Sequence, residues 1–222
     1  MNMKLVKKLL VATLATSLVV MPITAFATTD SSGDNTTATV TSTSETSETS
    51  ETTPTYVAPE GVKTTSEATI GGKTVKSTVS GSYKMGKTIK AAVFTQSVDG
   101  IKASAGLKSN EKPFARVYES DAKKSPKALE SANGAAATLG LTLLTDKGVY
   151  IDLGKMTDGK FSSLDSSVST PVTVALSGDA ANATTVIAVG PNGVIVVIEA
   201  TNDGNGNVTF EALGGAYTYY FA

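Results

Sequence analysis

Gly81-Ser82-Tyr83-Lys84-Met85-Gly86-Lys87-Thr88 matches the phosphate-loop spacing G-x-x-x-x-G-K-[ST]. In such a loop backbone N–H groups wrap a phosphate, the lysine reaches its outer oxygens and the hydroxyl holds magnesium. The chemistry would be nucleotide binding, with Val149-Tyr150-Ile151-Asp152 imitating the magnesium-binding strand. A working loop needs small residues, a buried strand before it and a helix after it. Here Tyr83, Lys84 and Met85 are bulky, residues 74–79 alternate with polar side chains, and residues 89–94 read as a strand. A hairpin turn is the expected structure.

Three other constellations have the right residue types. Asp203-Gly204-Asn205-Gly206-Asn207 begins like a calcium loop, with oxygen side chains at alternate positions. Its sixth position is Val208 rather than Gly and its twelfth is Gly214 rather than a bidentate Glu, so a structural turn is expected. Ser120-Asp121-Ala122-Lys123 has the Ser-x-x-Lys spacing in which a desolvated lysine activates a serine, but S-D-N and K-T-G elements are lacking and the segment reads as exposed. Asp146, Asp152, Asp158 and Asp165 supply carboxylates for glycoside hydrolysis, each beside Gly, Lys or Ser in a turn-like or strand-edge context.

Composition removes whole reaction classes. The chain has no His, Cys or Trp, which excludes Ser-His-Asp and Cys-His catalysis and every His-ligated transition metal. Without Cys no disulfide holds the fold. The formal net charge of −1 becomes −4 if Lys4, Lys7 and Lys8 leave with a leader peptide. Mild acidity gives no reason to expect nucleic acid as a partner. Lys108, Lys112, Arg116, Lys123, Lys124 and Lys127 are interrupted by Glu111, Glu119 and Asp121, and read as solvated surface. No catalytic, cofactor-binding or metal-binding residue is assigned, and no cofactor is expected.

The elements that would position these residues begin after two segments of different character. Residues 1–27 have a lysine-bearing start, an apolar run at 9–20 and Ala25-Phe26-Ala27, the pattern of a cleaved secretory signal. Residues 28–58 are Ser/Thr-dominated, with a Ser-Glu-Thr repeat at 44–52, and are expected to be a disordered linker, too poor in apolar side chains to offset the entropy of ordering. Residues 59–222 are expected to fold as an α+β, sheet-dominated domain. About 160 residues suffice to bury roughly 70% of the surface that the unfolded chain exposes.

Period-2 segments at 68–70, 74–79, 89–94 and 114–118 read as strands. One main helix is signalled at about 125–139: Ser125 as N-cap, Pro126 at the first helical position, Ala128, Leu129, Ala132, Ala135, Ala136 and Leu139 on one face, and Gly140 just beyond the end. Beyond it lie strand candidates at 141–144, 149–153, 172–176, 186–189, 194–198, 208–212 and 217–221. The run 194–198 is continuously apolar, which argues burial on both faces, and Gly190-Pro191-Asn192-Gly193 should join it to 186–189 as a hairpin. A boundary near Asp146 would separate a C-terminal β-sandwich-like half. Tyr217, Tyr219 and Phe221 should face the core, while an outward Tyr220 beside Tyr83 or Tyr118 would form an aromatic platform.

Residues 89–222 resemble an uncharacterised module of secreted and surface proteins from clostridia and other Gram-positive bacteria. The matching stretches are Asn110-Glu111-Lys112-Pro113-Phe114, Lys123-Lys124-Ser125-Pro126, Ile151-Asp152-Leu153-Gly154-Lys155, Gly159-Lys160-Phe161-Ser162 and Gly215-Ala216-Tyr217-Thr218-Tyr219. The C-terminal half is similar to small β-sandwich surface domains. The resemblance implies secretion and a Gram-positive origin, and no particular activity; the expected localisation is extracellular, with association at the cell envelope. The chain is thus expected to be a secreted, non-enzymatic extracellular module that binds a cell-wall glycan or an extracellular protein, or serves structurally. It shows no lipid-bearing Cys, sorting motif or transmembrane anchor. The alternatives are a carboxylate-dependent hydrolase such as a glycosidase and, more remotely, a nucleotide-binding protein.

Overall fold

The computed structural model describes residues 61–222; the leader expected at 1–27 and the linker expected at 28–58 lie outside them. The elements run β1 (Glu67–Ile70), β2 (Lys73–Lys76), β3 (Ser80–Lys84), β4 (Ile89–Phe94), α1 (Val98–Ser104), β5 (Lys112–Ser120), α2 (Pro126–Thr138), β6 (Gly148–Thr157), β7 (Lys160–Ser163), β8 (Ser169–Leu176), β9 (Thr185–Val189), β10 (Ile195–Glu199), β11 (Thr201–Asn202), β12 (Asn207–Leu213) and β13 (Gly215–Phe221). The fold is α+β and dominated by sheets, as the alternating segments predict.

Two main sheets share one core. The larger has seven strands in the order β10-β9-β13-β6-β5-β3, with β7 also paired to β6; the smaller has the order β11-β12-β8-β4. Among the described residues only β3 and β5 pair in parallel. Phe210 of the smaller sheet packs 5.0 Å from Tyr219 and 6.3 Å from Phe221 of the larger, ring centre to ring centre. Val172, Val174, Phe94, Ile151 and Leu153 fill the same interior. Strands from both sides of Asp146 build both sheets, since β5 pairs with β6 and β4 with β8. The two packed sheets therefore hold the C-terminal strands together with β3, β4 and β5 from before Asp146, while β1 and β2 form a separate two-stranded sheet. All of the buried apolar clusters lie between Ala68 and Phe221.

The predicted helix forms as α2, with Ser125 before it and Gly140 in the left-handed region after it, at φ 70°. Ser125 does not cap through its side chain; its hydroxyl accepts from Ser120 Oγ at 2.9 Å. Ala132 and Ala136 are fully buried against Ile187, Val189 and Tyr220. Small side chains let the helix lie close on the sheet, while Leu139, predicted for the same stripe, is exposed.

Other expectations need correction. A second helix, α1, forms where none was expected: Ser97 accepts from Gly100 N at 3.1 Å, and Ile101 alone is buried. Gly100 and the helix's seven-residue length leave no readable apolar period. Residues 141–144 are not a strand; Leu143 tucks against the α2 cluster and Leu144 N donates to Phe221 O. The hairpin of β9 and β10 forms as predicted, but β10 is an exposed edge rather than a buried strand.

Tyr220 is fully buried beneath α2, so β13 is covered on both faces. Its hydroxyl has no hydrogen-bond partner among the described residues, whereas Tyr219 OH accepts from Leu213 N at 2.8 Å. The two neighbours should respond oppositely to loss of the hydroxyl. Tyr220→Phe is expected to raise stability by about 1 kcal/mol, and Tyr219→Phe to lower it by about 1–2 kcal/mol because an amide is left unpaired. Urea denaturation of both variants checks the contrast; equal losses would refute it.

Candidate functional site

Of the four constellations, the phosphate-loop match is resolved most clearly. Residues 80–84 are strand β3, lying parallel to β5, and residues 85–88 turn a corner into β4 of the other sheet. The expected hairpin is thus a crossover between sheets. A strand, not a helix, follows it. The loop's amides already hold an anion from within the chain: Glu119 Oε2 accepts from Thr88 N at 2.9 Å and Ile89 N at 2.7 Å. A Cβ on Gly86 would fall 2.1 Å from the Glu119 carboxyl, so this glycine makes room for a carboxylate.

The calcium-like loop is a turn, as predicted. Asp203 Oδ1 accepts from Asn205 N and Asn207 N, and Oδ2 accepts from Asn207 Nδ2 at 2.6 Å. These bonds, the Asn207 side chain first among them, hold its carboxyl below the usual range. Ser120 is fully buried rather than exposed and donates to Ser125, while Lys123 is exposed. Asp121 accepts from the amides of Lys123 and Lys124. No activated serine arises there.

Each of the four aspartates sits in its own turn, ion pair or hydrogen bond. Asp146 pairs with Lys147 at 3.3 Å, Asp158 sits in the β6–β7 turn with φ 49°, and Asp165 accepts from Ser167 N. Asp152 is buried in mid-strand and accepts from Ser163 Oγ at 2.7 Å. Six residues of extended chain separate Asp152 from Asp158, about 20 Å. Paired glycosidase carboxylates stand about 5–9.5 Å apart.

What the strands do gather is an aromatic and cationic strip on the outer face of the larger sheet. The β5 register sets Phe114, Arg116 and Tyr118 on one face, and β6 places Tyr150 opposite Tyr118 and Asp152 opposite Arg116. The Tyr118 and Tyr150 rings stack at 4.4 Å with 20° between planes. Gly154 carries no Cβ where the Phe161 ring crosses it, a position where a Cβ would lie 2.4 Å from that ring. Phe161 in turn meets Phe114 edge-on at 5.9 Å and receives the Arg116 guanidinium 3.9 Å from its ring centre.

Beside this strip opens a cleft of about 630 Å³ that is lined in part by Lys84, Met85, Arg116, Tyr118 and Lys124. Lys124 is held over it: Nζ donates to Glu119 O at 2.7 Å and stands 6.0 Å above the Tyr118 ring. Burial, and then the Asp152 charge, raise both tyrosine pKa values, that of Tyr150 to about 12. Both hydroxyls therefore keep their protons and can donate at any physiological pH.

The aromatic platform anticipated from an outward Tyr220 beside Tyr83 or Tyr118 does not form. Tyr83 is buried, its hydroxyl donating to Val79 O at 2.7 Å, and Tyr220 lies beneath α2. Tyr150 and Phe161 carry no local signal that would place them in the strip, nor Lys84 any that would place it in the cleft. The alternation of Phe114, Arg116 and Tyr118 is such a signal, and the β5–β6 register supplies the rest. Among the described residues no helix is long and apolar enough to cross a membrane. Comparison with protein-family profiles, with curated proteins and with solved structures finds no match.

Proposed function

We propose that this chain is a secreted, non-enzymatic binding module whose outer strip takes an extracellular glycan bearing acidic groups. The carrying observation is the stacked Tyr118–Tyr150 pair beside Arg116 and Lys124, on the part of the sheet adjoining an open cleft. Ring faces offer flat apolar area to the C–H faces of sugars, with hydroxyls at their rims for hydrogen bonds. A guanidinium offers paired donors to carboxylate or phosphate, and the lysines add charge. The leader at 1–27 would deliver the domain outside the cell, and the 28–58 segment would space it from its neighbours.

Purified chain beginning at Thr28 should sediment with acidic cell-wall polysaccharide and lose binding as salt rises. The double variant Tyr118→Ala/Tyr150→Ala should bind at least about tenfold more weakly, the loss of roughly 1.4 kcal/mol, with its fold retained. Retention of full affinity would reject the strip as the site. Hydrolysis of glycosides by the purified chain, abolished by Asp152→Asn, would replace this reading with the hydrolase.

A further inference from the structure

We infer that β10 is a self-association edge, through which two copies of this chain join their larger sheets by antiparallel β10–β10 pairing. An open strand edge presents unpaired N–H and C=O groups, and proteins usually blunt it with lysine, proline, a bulge, brevity or a cover. The other edges of the two sheets are treated that way. At β3, Lys63 and Thr64 close the edge: Lys63 N donates to Tyr83 O, and Tyr83 N and Gly81 N donate to Lys63 O and Thr64 O. At β4, Thr78 N donates to Phe94 O, and Ser66 and Ser77 hydroxyls accept from Ala92 N and Phe94 N. Strand β11 is two residues long, and β7 is four residues long and led by Lys160.

Among the described residues β10 has no lysine, proline, bulge or cover, and its one charge is Glu199. Its sequence is Ile195-Val196-Val197-Ile198-Glu199, without lysine, proline or glycine. Val194, Ile195 and Val197 are 51%, 42% and 48% exposed, half of the large exposed apolar side chains among the described residues. The bonds Gly190 N to Val194 O and Ala200 N to Thr184 O fix which backbone groups face β9. Alternation then points the N–H and C=O groups of Ile195, Val197 and Glu199 outward along the free edge.

Those three residues select a second copy as the occupant. With Val197 on a two-fold axis, Val197 meets Val197 and Ile195 meets the second copy's Glu199, so all three residues of each copy find donors and acceptors. The only charge in the strand then faces isoleucine, and the two carboxylates stand at opposite ends of the ladder. Parallel pairing would set Glu199 beside Glu199, which like-charge opposition disfavours. An isologous contact closes on itself, and each dimer would present two copies of the outer strip.

Light scattering and amide exchange on the chain from Thr28 onward, which keeps every buried cluster, test this. At high micromolar concentration the mass should double. The amides of Ile195, Val197 and Glu199 should slow with concentration, while those of Val196 and Ile198 are slow throughout. Val197→Lys should remain a monomer with an unchanged melting temperature. A monomer at every concentration, growth beyond a dimer, or a dimer in which those three amides still exchange freely would overturn the proposal. The exchange pattern comes from the native chain, so it discriminates between these outcomes even if the lysine variant fails to fold.

Discussion

Gly81→Ala should destabilise the chain by about 3 kcal/mol or more, the upper range for overpacking where backbone has to move. A Cβ at this position would lie 2.1 Å from the carbonyl oxygen of Ala115 and 3.0 Å from its carbon. That oxygen belongs to β5, in mid-register against β3, and has no rotamer by which to yield. The melting temperature should fall by about 10 °C. By contrast Lys87→Ala, which removes the residue a phosphate loop depends on, should alter stability by less than about 0.5 kcal/mol, because the side chain is exposed. Thermal unfolding of both variants decides whether Gly81 serves strand packing. A stable Gly81→Ala chain would defeat the argument, and a melting rise with ATP that Lys87→Ala abolishes would restore the nucleotide reading.

That motif shows what a sequence pattern conveys and what it leaves out. Gly81 and Gly86 are required by close approaches, one to a strand backbone and one to the Glu119 carboxyl. Neither neighbour is adjacent in sequence, so the pattern alone looks the same as that of a ligand loop. Local signals are the legible ones. Pro126 and Gly140 mark the ends of α2, the 190–193 turn sets the β9–β10 hairpin, and the Asp203 turn closes on its own asparagines.

Position within a sheet is not legible in the same way. The apolar run of β10 reads as interior because hydrophobicity reports a preference for burial and says nothing of strand order. Tyr220 reads as outward because alternation assigns it to the face opposite Tyr219, and only the docking of α2 makes that face a second interior. The candidate site divides along the same line. Phe114, Arg116 and Tyr118 declare a shared face by spacing, whereas Tyr150 and Phe161 join them only through the pairing of β5 with β6 and of β6 with β7.

Above pH 10 the fold should unfold cooperatively, driven by its buried tyrosines. An unfolded tyrosine loses its proton near pH 10. In the folded chain burial holds Tyr150 and Tyr220 protonated to about 12, and pushes Tyr83 and Tyr219 further in the same direction. Since these pKa values are raised by folding, the unfolded chain binds fewer protons once pH passes 10, and stability falls as pH climbs. Below pH 10 the tyrosines contribute no slope. Within the window each fully linked group removes about 1.4 kcal/mol per pH unit, so Tyr83 and Tyr219 alone remove about 3 kcal/mol per unit. Against a typical stability of about 5–15 kcal/mol, that brings unfolding within reach of a few pH units. Circular dichroism and tyrosinate absorbance should change together in one transition, and Tyr220→Phe, which deletes a linked group without deleting a hydrogen bond, should move the midpoint upward. Ionisation of all the tyrosines near pH 10 with the sheet signal intact would show that the Tyr83, Tyr219 and Tyr220 rings are not held in the interior.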